Sequence, residues 1–289
     1  MSLLSAECPC PSALRVATAR ALHQLIDMNN IFNDPFALGS LGSQKAAELL
    51  LDPDKYNDVP ARSMRAGIVA RARFSEDRTL RAIIDGCLQY VIVGAGLDTW
   101  ALRTTNVLPE VKVFEIDQGA MQKWKKDIYL RNLWDVTQRL TWIASDLSHE
   151  DIIDVLRRNS VDLLKPIIVS MLGVLVYLDP SSVRSLFTSL KALPNNSVVI
   201  FDYRLDDSML PPMEKAMMEF TARMMAAGGE PWLSSSSPCS MRDLLEASGF
   251  EIEEDICNME MNERYLSYRR DGLQIAGGGF RYISARKVK

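Results

Sequence analysis

Residues 87–118 constrain this chain more than any other stretch. Residues 90–93, Tyr-Val-Ile-Val, form a short aromatic and β-branched run, the composition of a strand buried on both faces of a parallel sheet. Gly94 and Gly96, with Ala95 between them, end it. Glycine has no Cβ and tolerates positive φ, so the backbone there can turn sharply and approach a ligand closely. A following helix would aim its free N–H groups over that turn. A second strand, residues 111–116, carries Glu115 and runs to Asp117, about 20 residues past the turn, where a carboxylate can accept both hydroxyls of an adenosine ribose. Strand, glycine turn, helix and acid-ended strand make half of a nucleotide-binding sheet. Taken alone, the Gly-x-Gly is also compatible with a plain strand-to-helix turn.

A dinucleotide needs a third glycine for close helix packing under its pyrophosphate, and that position of the G-x-G-x-x-G pattern holds Thr99. Asp98 stands inside the turn, where its charge would repel a pyrophosphate and suit a cation. S-adenosylmethionine meets both conditions, having a ribose, a sulfonium and an ammonium but no phosphate.

Composition narrows the partners. A net charge of −4 and a pI near 5.4 offer no basic footprint for nucleic acid or an anionic membrane. No apolar run reaches the roughly 18 residues that span a bilayer. Five cysteines, an odd number, and a start without a basic-then-apolar signal segment point to a reducing cytoplasm. Cys8 and Cys10 flank Pro9, but no second pair lies at ligand spacing and the only histidines are His23 and His149, so no zinc site is expected.

Residues 1–11 read as disordered. From 12 to 27, Leu14, Ala17, Ala21, Leu22 and Leu25 recur at helical spacing. Asn33-Asp34-Pro35 and Asp52-Pro53-Asp54 are breaks. Residues 62–88 read as one or two helices rich in arginine, most of it on solvated faces. Arg71 and Arg73 lie close enough to the first strand for that helix to fold over the sheet's mouth, where one guanidinium can clamp a carboxylate with two hydrogen bonds.

Four segments now carry a likeness: Ala70-Arg71-Ala72-Arg73-Phe74, Val-Gly-Ala-Gly-Leu-Asp-Thr from Val93, Phe114-Glu115-Ile116-Asp117-Gln118, and Gly-Val-Leu-Val-Tyr-Leu from Gly173. In order and spacing they resemble the leucine carboxyl methyltransferase family, closest to its bacterial branch of S-adenosylmethionine-dependent O-methyltransferases. The likeness is dense over residues 60–180; Asn33-Asp34-Pro35, Arg264-Tyr265 and Arg281-Tyr282 extend it. It implies an α/β fold, a doubly wound Rossmann-like class I methyltransferase with a mostly parallel seven-stranded sheet and an antiparallel last strand. The expected layout is one domain, with a helical cap at 12–86, a core at 87–204 and 241–289, and a lid inserted at 205–240. By the same resemblance Arg73 holds the methionine carboxylate, Gly94 and Gly96 bed the methionine part, Asp117 binds the ribose, and Asp146 and Leu147, after a strand at 140–144, frame the adenine. Asp146 also reads as a helix N-cap. One position departs: where the family commonly has a glutamate before the glycine, this chain has Leu172, with Ser170 or Asp98 as substitutes.

The inserted segment holds Met213, Met217, Met218, Phe220, Met224 and Met225, read either as an adaptable wall for a hydrophobic substrate or as core or a homodimer seam. Strands at 250–256 and 279–286, with no crossover helix between them, favour an antiparallel hairpin. Methyl transfer to a carboxylate needs no base, whereas a phenol or alcohol does. With two unhelpfully placed histidines, the expected acceptor is a carboxylate or acidic hydroxyl of a small molecule, with Tyr177 and Arg204 as acceptor-side candidates. The other readings are methylation of a protein's C-terminal carboxylate, and cofactor binding without catalysis.

Overall fold

The computed structural model describes residues 10–136 and 138–288. The disorder expected for residues 1–11 falls largely outside them, as does Cys8; Pro11 already opens the first helix. Seven strands form one sheet in the order β3-β2-β1-β4-β5-β7-β6: β1 (Gln89–Val93), β2 (Lys112–Asp117), β3 (Leu140–Ala144), β4 (Ile168–Met171), β5 (Val198–Arg204), β6 (Phe250–Cys257) and β7 (Phe280–Lys287). Neighbouring pairs among β1 to β5 run parallel, and β7 runs antiparallel to both β5 and β6. The expected doubly wound sheet with its antiparallel last strand is what the chain forms.

Strand β1 is buried from end to end because both its faces are covered. Val91 and Val93 join the core cluster under α7 (Ile152–Arg158), α8 (Pro180–Leu190) and α10 (Pro238–Ala247), while Tyr90 and Ile92 join the cluster on the other face. Full burial of each such side chain contributes about 1.5–3 kcal/mol. Strand order reverses between β1 and β4, and a crevice opens beyond their C-terminal ends, where open α/β sheets bind ligands.

Three layers close over that crevice. The first is α1 (Pro11–Ile26), packed with α2 (Ala37–Ser40) and α3 (Ser43–Leu51) in a cluster that also holds Leu97 and Met121. The second is α4 (Val59–Ile84), a single helix of 26 residues capped by Asp58, which accepts from the Ala61 N–H at 2.8 Å. The third is α9 (Pro212–Ala227), in the segment inserted after β5. No described helix is long and apolar enough to cross a membrane.

The helix after the glycine turn, α5 (Trp100–Arg103), is a single turn, and its Trp100 N–H is taken by Asp98 Oδ1 at 2.6 Å. Thr104 and Thr105 return their hydroxyls to the Trp100 and Ala101 carbonyls, competing with helix propagation before Pro109. The longer helix follows β2 instead, as α6 (Gly119–Arg131).

Candidate active site

The crevice is a cleft of about 820 Å³ with two glycine turns on its floor. At Gly94 (φ +61°) an added Cβ would stand 2.7 Å from Val174 Cγ2, and at Gly173 (φ +67°) 2.9 Å from Arg71 Nη1. Side chains at either position would therefore fill the floor. At Gly96 (φ +47°) a Cβ would press on Ala13 of α1, at 3.0 Å. The sequence places glycines where the turn needs positive φ and where neighbouring elements close in.

Asp117, at the end of β2, lines the cleft. Its Oδ2 accepts the Gly96 N–H at 2.6 Å and its Oδ1 the Gln118 N–H at 2.7 Å. Burial lifts its carboxyl above the ordinary value despite those two donors. Asp98 also lines the cleft. Burial works to raise it, but Arg20, Arg103 and Lys125 outweigh that and hold it below the usual range, so it stays charged. Glu115 is not brought to the cleft. It is buried against α6, where it pairs with Lys125 at 2.6 Å. Residues two apart share a strand face, so Glu115 lies on the same side of β2 as Asp117 but one step further from the strand end, beneath α6 rather than at the cleft.

Arg73, expected to hold a carboxylate, stands outside the cleft. Half its side chain is open to solvent, and it bonds Asp77 at 2.9 Å and the Ile31 carbonyl at 3.3 Å. Arg71 is the guanidinium inside. It donates to Asp202 Oδ2 at 2.9 Å, and Asp202 Oδ1 accepts the Gly173 N–H at 2.6 Å. Helical phase separates the two arginines, since two residues turn a helix by roughly 200°. Gly67, Arg71 and Ser75, four apart, all line the cleft. Asp202 itself is nearly fully buried, a lone carboxylate in the apolar run of β5. It lies beside the turn that follows Leu172, so the acidic group there comes from the next strand.

Asp146 and Leu147 do not line the cleft. Asp146 accepts the Ser148 N–H at 3.0 Å and contacts His149, a turn-forming role, and α7 is capped by Asp151. Leu147 packs on the core. Tyr177 lines the cleft in the 3₁₀ turn Leu175–Tyr177. Arg204 is drawn aside by Asp207 and stacks over Trp232, its guanidinium carbon 5.9 Å from the ring.

Several residues were not foreseen. Thr99, in the third glycine position, donates to Asp34 at 2.7 Å and accepts from Arg20 at 3.1 Å and Arg103 at 3.0 Å. Arg20 pairs with Asp34 at 2.7 Å and Asp98 at 3.1 Å, Arg103 pairs with Glu76, and both guanidiniums stack on Phe32. This buried network ties α1, α4 and the glycine turn together, and it explains the acidic-proline break at Asp34. At the other side, Glu230 accepts from the Ser12 N–H at 2.8 Å and its hydroxyl at 2.9 Å, joining the segment after α9 to the start of α1. Leu233 N–H donates to the Val176 carbonyl at 2.7 Å, so the same segment is pinned to the β4 turn.

The leucine carboxyl methyltransferase family profile matches residues 13–191. The chain belongs to that family. It is 29% identical over 301 residues to YktD of Bacillus subtilis (strain 168), provisionally named as an S-adenosyl-L-methionine-dependent methyltransferase, with 96% of this chain and 97% of the relative covered. A similarly named protein of Mycolicibacterium paratuberculosis is 28% identical over 277 residues, covering 84% and 89%. Among solved structures the fold is similar to a DUF574-family protein from Streptomyces avermitilis, at TM-score 0.61 and 17% identity over 94% of this chain and 97% of that one. A provisionally named methyltransferase from Thermobifida fusca gives TM-score 0.60 and 18% identity over 98% and 100%. The chain is thus an S-adenosylmethionine-dependent methyltransferase. Its cleft fits that cofactor: two side-chain-free turns leave the floor open, and charged Asp98 beside them suits a cationic ligand better than a phosphate.

Proposed function

We propose that this family member transfers a methyl group to an oxygen of an apolar small molecule. The observation that carries this reading is the continuation of the cleft beyond its glycine turns into a chamber under α9. Met217, Met218 and Met225 form its roof, and Trp232 meets Phe280 edge to face, with ring centroids 5.6 Å apart, along its side. Methionine side chains adapt to irregular apolar shapes. Met213, Phe220 and Met224 on α9 are exposed and Met217 is 47% exposed, so only part of the methionine stripe, chiefly Met218 and Met225, is covered.

In this reading Gly94, Ala95 and Gly96 bed the methionine part of S-adenosylmethionine, Asp117 takes the ribose, and Arg71 takes the carboxylate in the place first given to Arg73. Asp98 supplies negative potential beside the turn. The cofactor supplies a methyl group already activated by the positive charge on sulfur. The chain's own work is to orient and to exclude water, and positioning alone is worth up to ~7–11 kcal/mol. Tyr177 lines the same cleft from the turn after β4. The Glu230–Ser12 contact and the Leu233–Val176 bond tie down the segment after α9 where it lines the cleft, which suits a compact acceptor better than an extended peptide.

The test is calorimetric titration with S-adenosylmethionine and with NAD, followed by transfer of labelled methyl to a panel of apolar carboxylic acids and hydroxyl compounds. Micromolar binding of the first ligand alone, with label appearing on oxygen, supports the reading. Label found on nitrogen or carbon, or on peptides and no small molecule, overturns it.

A further inference from the structure

Resting on that reading, we propose that the acceptor enters this cleft without a negative charge, as an apolar compound whose protonated hydroxyl donates to Glu214. The reasoning starts from which charges along the cleft are already committed. Among the described residues four arginines line it, and no lysine or histidine does. Arg20 is held by Asp34 and Asp98, Arg103 by Glu76, and Arg71 by Asp202. The fourth, Arg15, stands on α1, the helix that packs on the glycine turn through Ala13. Three of the four are therefore committed to carboxylates, and among the described residues the chamber under α9 shows no cation bonded to its Glu214 wall.

It does have an anion. Glu214, in the first turn of α9, lines the chamber and has no cation within ion-pair distance among the described residues. Its Oε2 accepts the Gly278 N–H at 2.6 Å, which fixes the carboxylate against the Gly277–Gly278–Gly279 run. That run lets α9 come close: a Cβ at Gly279 would overlap the Met218 sulfur, at 2.3 Å. Glu214 is thus a positioned carboxylate with Met217 and Met218 one turn along the same helix. Apolar walls weaken solvent screening, so a second carboxylate beside it would be repelled, while a hydroxyl offers the donor it lacks. Asn258, whose amide donates to the Gly277 carbonyl and whose oxygen accepts from Tyr282, adds no positive charge. Of the two acceptors expected from the scarcity of histidine bases, a carboxylate or an acidic hydroxyl, this keeps the hydroxyl, because Glu214 is itself a base. In the transfer, the hydroxyl oxygen gains the methyl group as its O–H bond breaks, the proton passes to Glu214 and on to solvent, and the donor leaves as a neutral thioether.

The experiment uses the full chain and two rings that differ in one group, 2-naphthol and 2-naphthoate. S-adenosylhomocysteine is titrated first; if it does not bind, the methyltransferase reading of the cleft fails by itself, and the two rings are still compared on the chain alone. Each ring's affinity is then measured by calorimetry at neutral pH, with labelled methyl transfer read in parallel. The expected result is naphthol bound at least about tenfold more tightly, with the gap shrinking in Glu214→Gln through a gain by naphthoate. Naphthoate binding as tightly as naphthol, or being methylated faster, overturns the proposal. So does failure of both rings to bind at millimolar concentration. If Glu214→Gln does not fold, the wild-type comparison decides.

Discussion

Arg71 on α4 and Asp202 on β5 meet at 2.9 Å across the mouth of the sheet, and the same carboxylate holds the Gly173 backbone. The pair makes the guanidinium a fixed feature of the cleft. It also fills the corner beside Leu172 with charge drawn from the neighbouring strand. In the proposed placement, the zwitterionic amino-acid end of the cofactor would meet this paired cation and anion.

Arg71→Ala is expected to weaken S-adenosylmethionine binding by about 1.5–3 kcal/mol, the range for a hydrogen bond to a charged group. 5′-Methylthioadenosine, which lacks the carboxylate, should lose little. Arg73→Ala, on the solvent side with Asp77, should change either affinity by less than about 0.5 kcal/mol. Calorimetry with both ligands reads all four differences, and equal losses for the two ligands in Arg71→Ala would make that residue structural only.

Asp117→Ala removes the acceptor of two backbone N–H groups together with the ribose partner. Cofactor affinity should fall by about 1.5–3 kcal/mol, and here 5′-methylthioadenosine, which keeps the ribose, should lose as much as S-adenosylmethionine. Unchanged affinity for both would remove the ribose from this strand end.

Gly173→Ala tests the second turn. A left-handed alanine costs about 1–3 kcal/mol of stability, and its Cβ would push on the Arg71 guanidinium. Gly42 has a similar positive φ but nothing within 4 Å of its missing Cβ. Gly42→Ala should therefore lower stability through strain while leaving cofactor affinity intact, whereas Gly173→Ala should lower both. Denaturant unfolding and calorimetry on the pair separate strain from occlusion.

The sheet was legible because its strands are short β-branched runs closed by glycine or acid, and because β6 and β7 lack a crossover between them. Gly94, Gly96, Asp98 and Asp117 were legible for a local reason: one turn and one strand end bring them together. Arg71 and Asp202 were not, since they are 131 residues apart in sequence and only the fold makes them partners. A helical-phase argument on Gly67, Arg71 and Ser75 would have preferred Arg71 to Arg73. Glu115 shares the face of Asp117 but lies two residues short of the strand end, where Lys125 of α6, a partner the strand's own sequence does not show, covers it. The Arg20, Asp34, Thr99 and Arg103 network is spread over three elements, so no spacing rule reveals it.

Glu115 carries the pH dependence that follows from that burial. Burial pushes its carboxyl up to about 7 against the opposing pull of Lys125, from an ordinary value of 4.5. Between those values the unfolded chain has released the proton and the native chain still holds it, so stability must fall as pH rises through the window, by up to about 3 kcal/mol. Below about pH 4.5 both states are protonated at this site and its contribution is fully present; above about 7 it is gone. Urea unfolding of the wild type and Glu115→Gln at intervals from pH 5 to pH 8 measures it. The wild type should lose stability relative to the variant as pH rises from 5 to 7 and run parallel to it beyond. Parallel curves over the whole range would mean that Lys125 keeps Glu115 ionised throughout, and that the pair is a charged buried bridge at every pH tested.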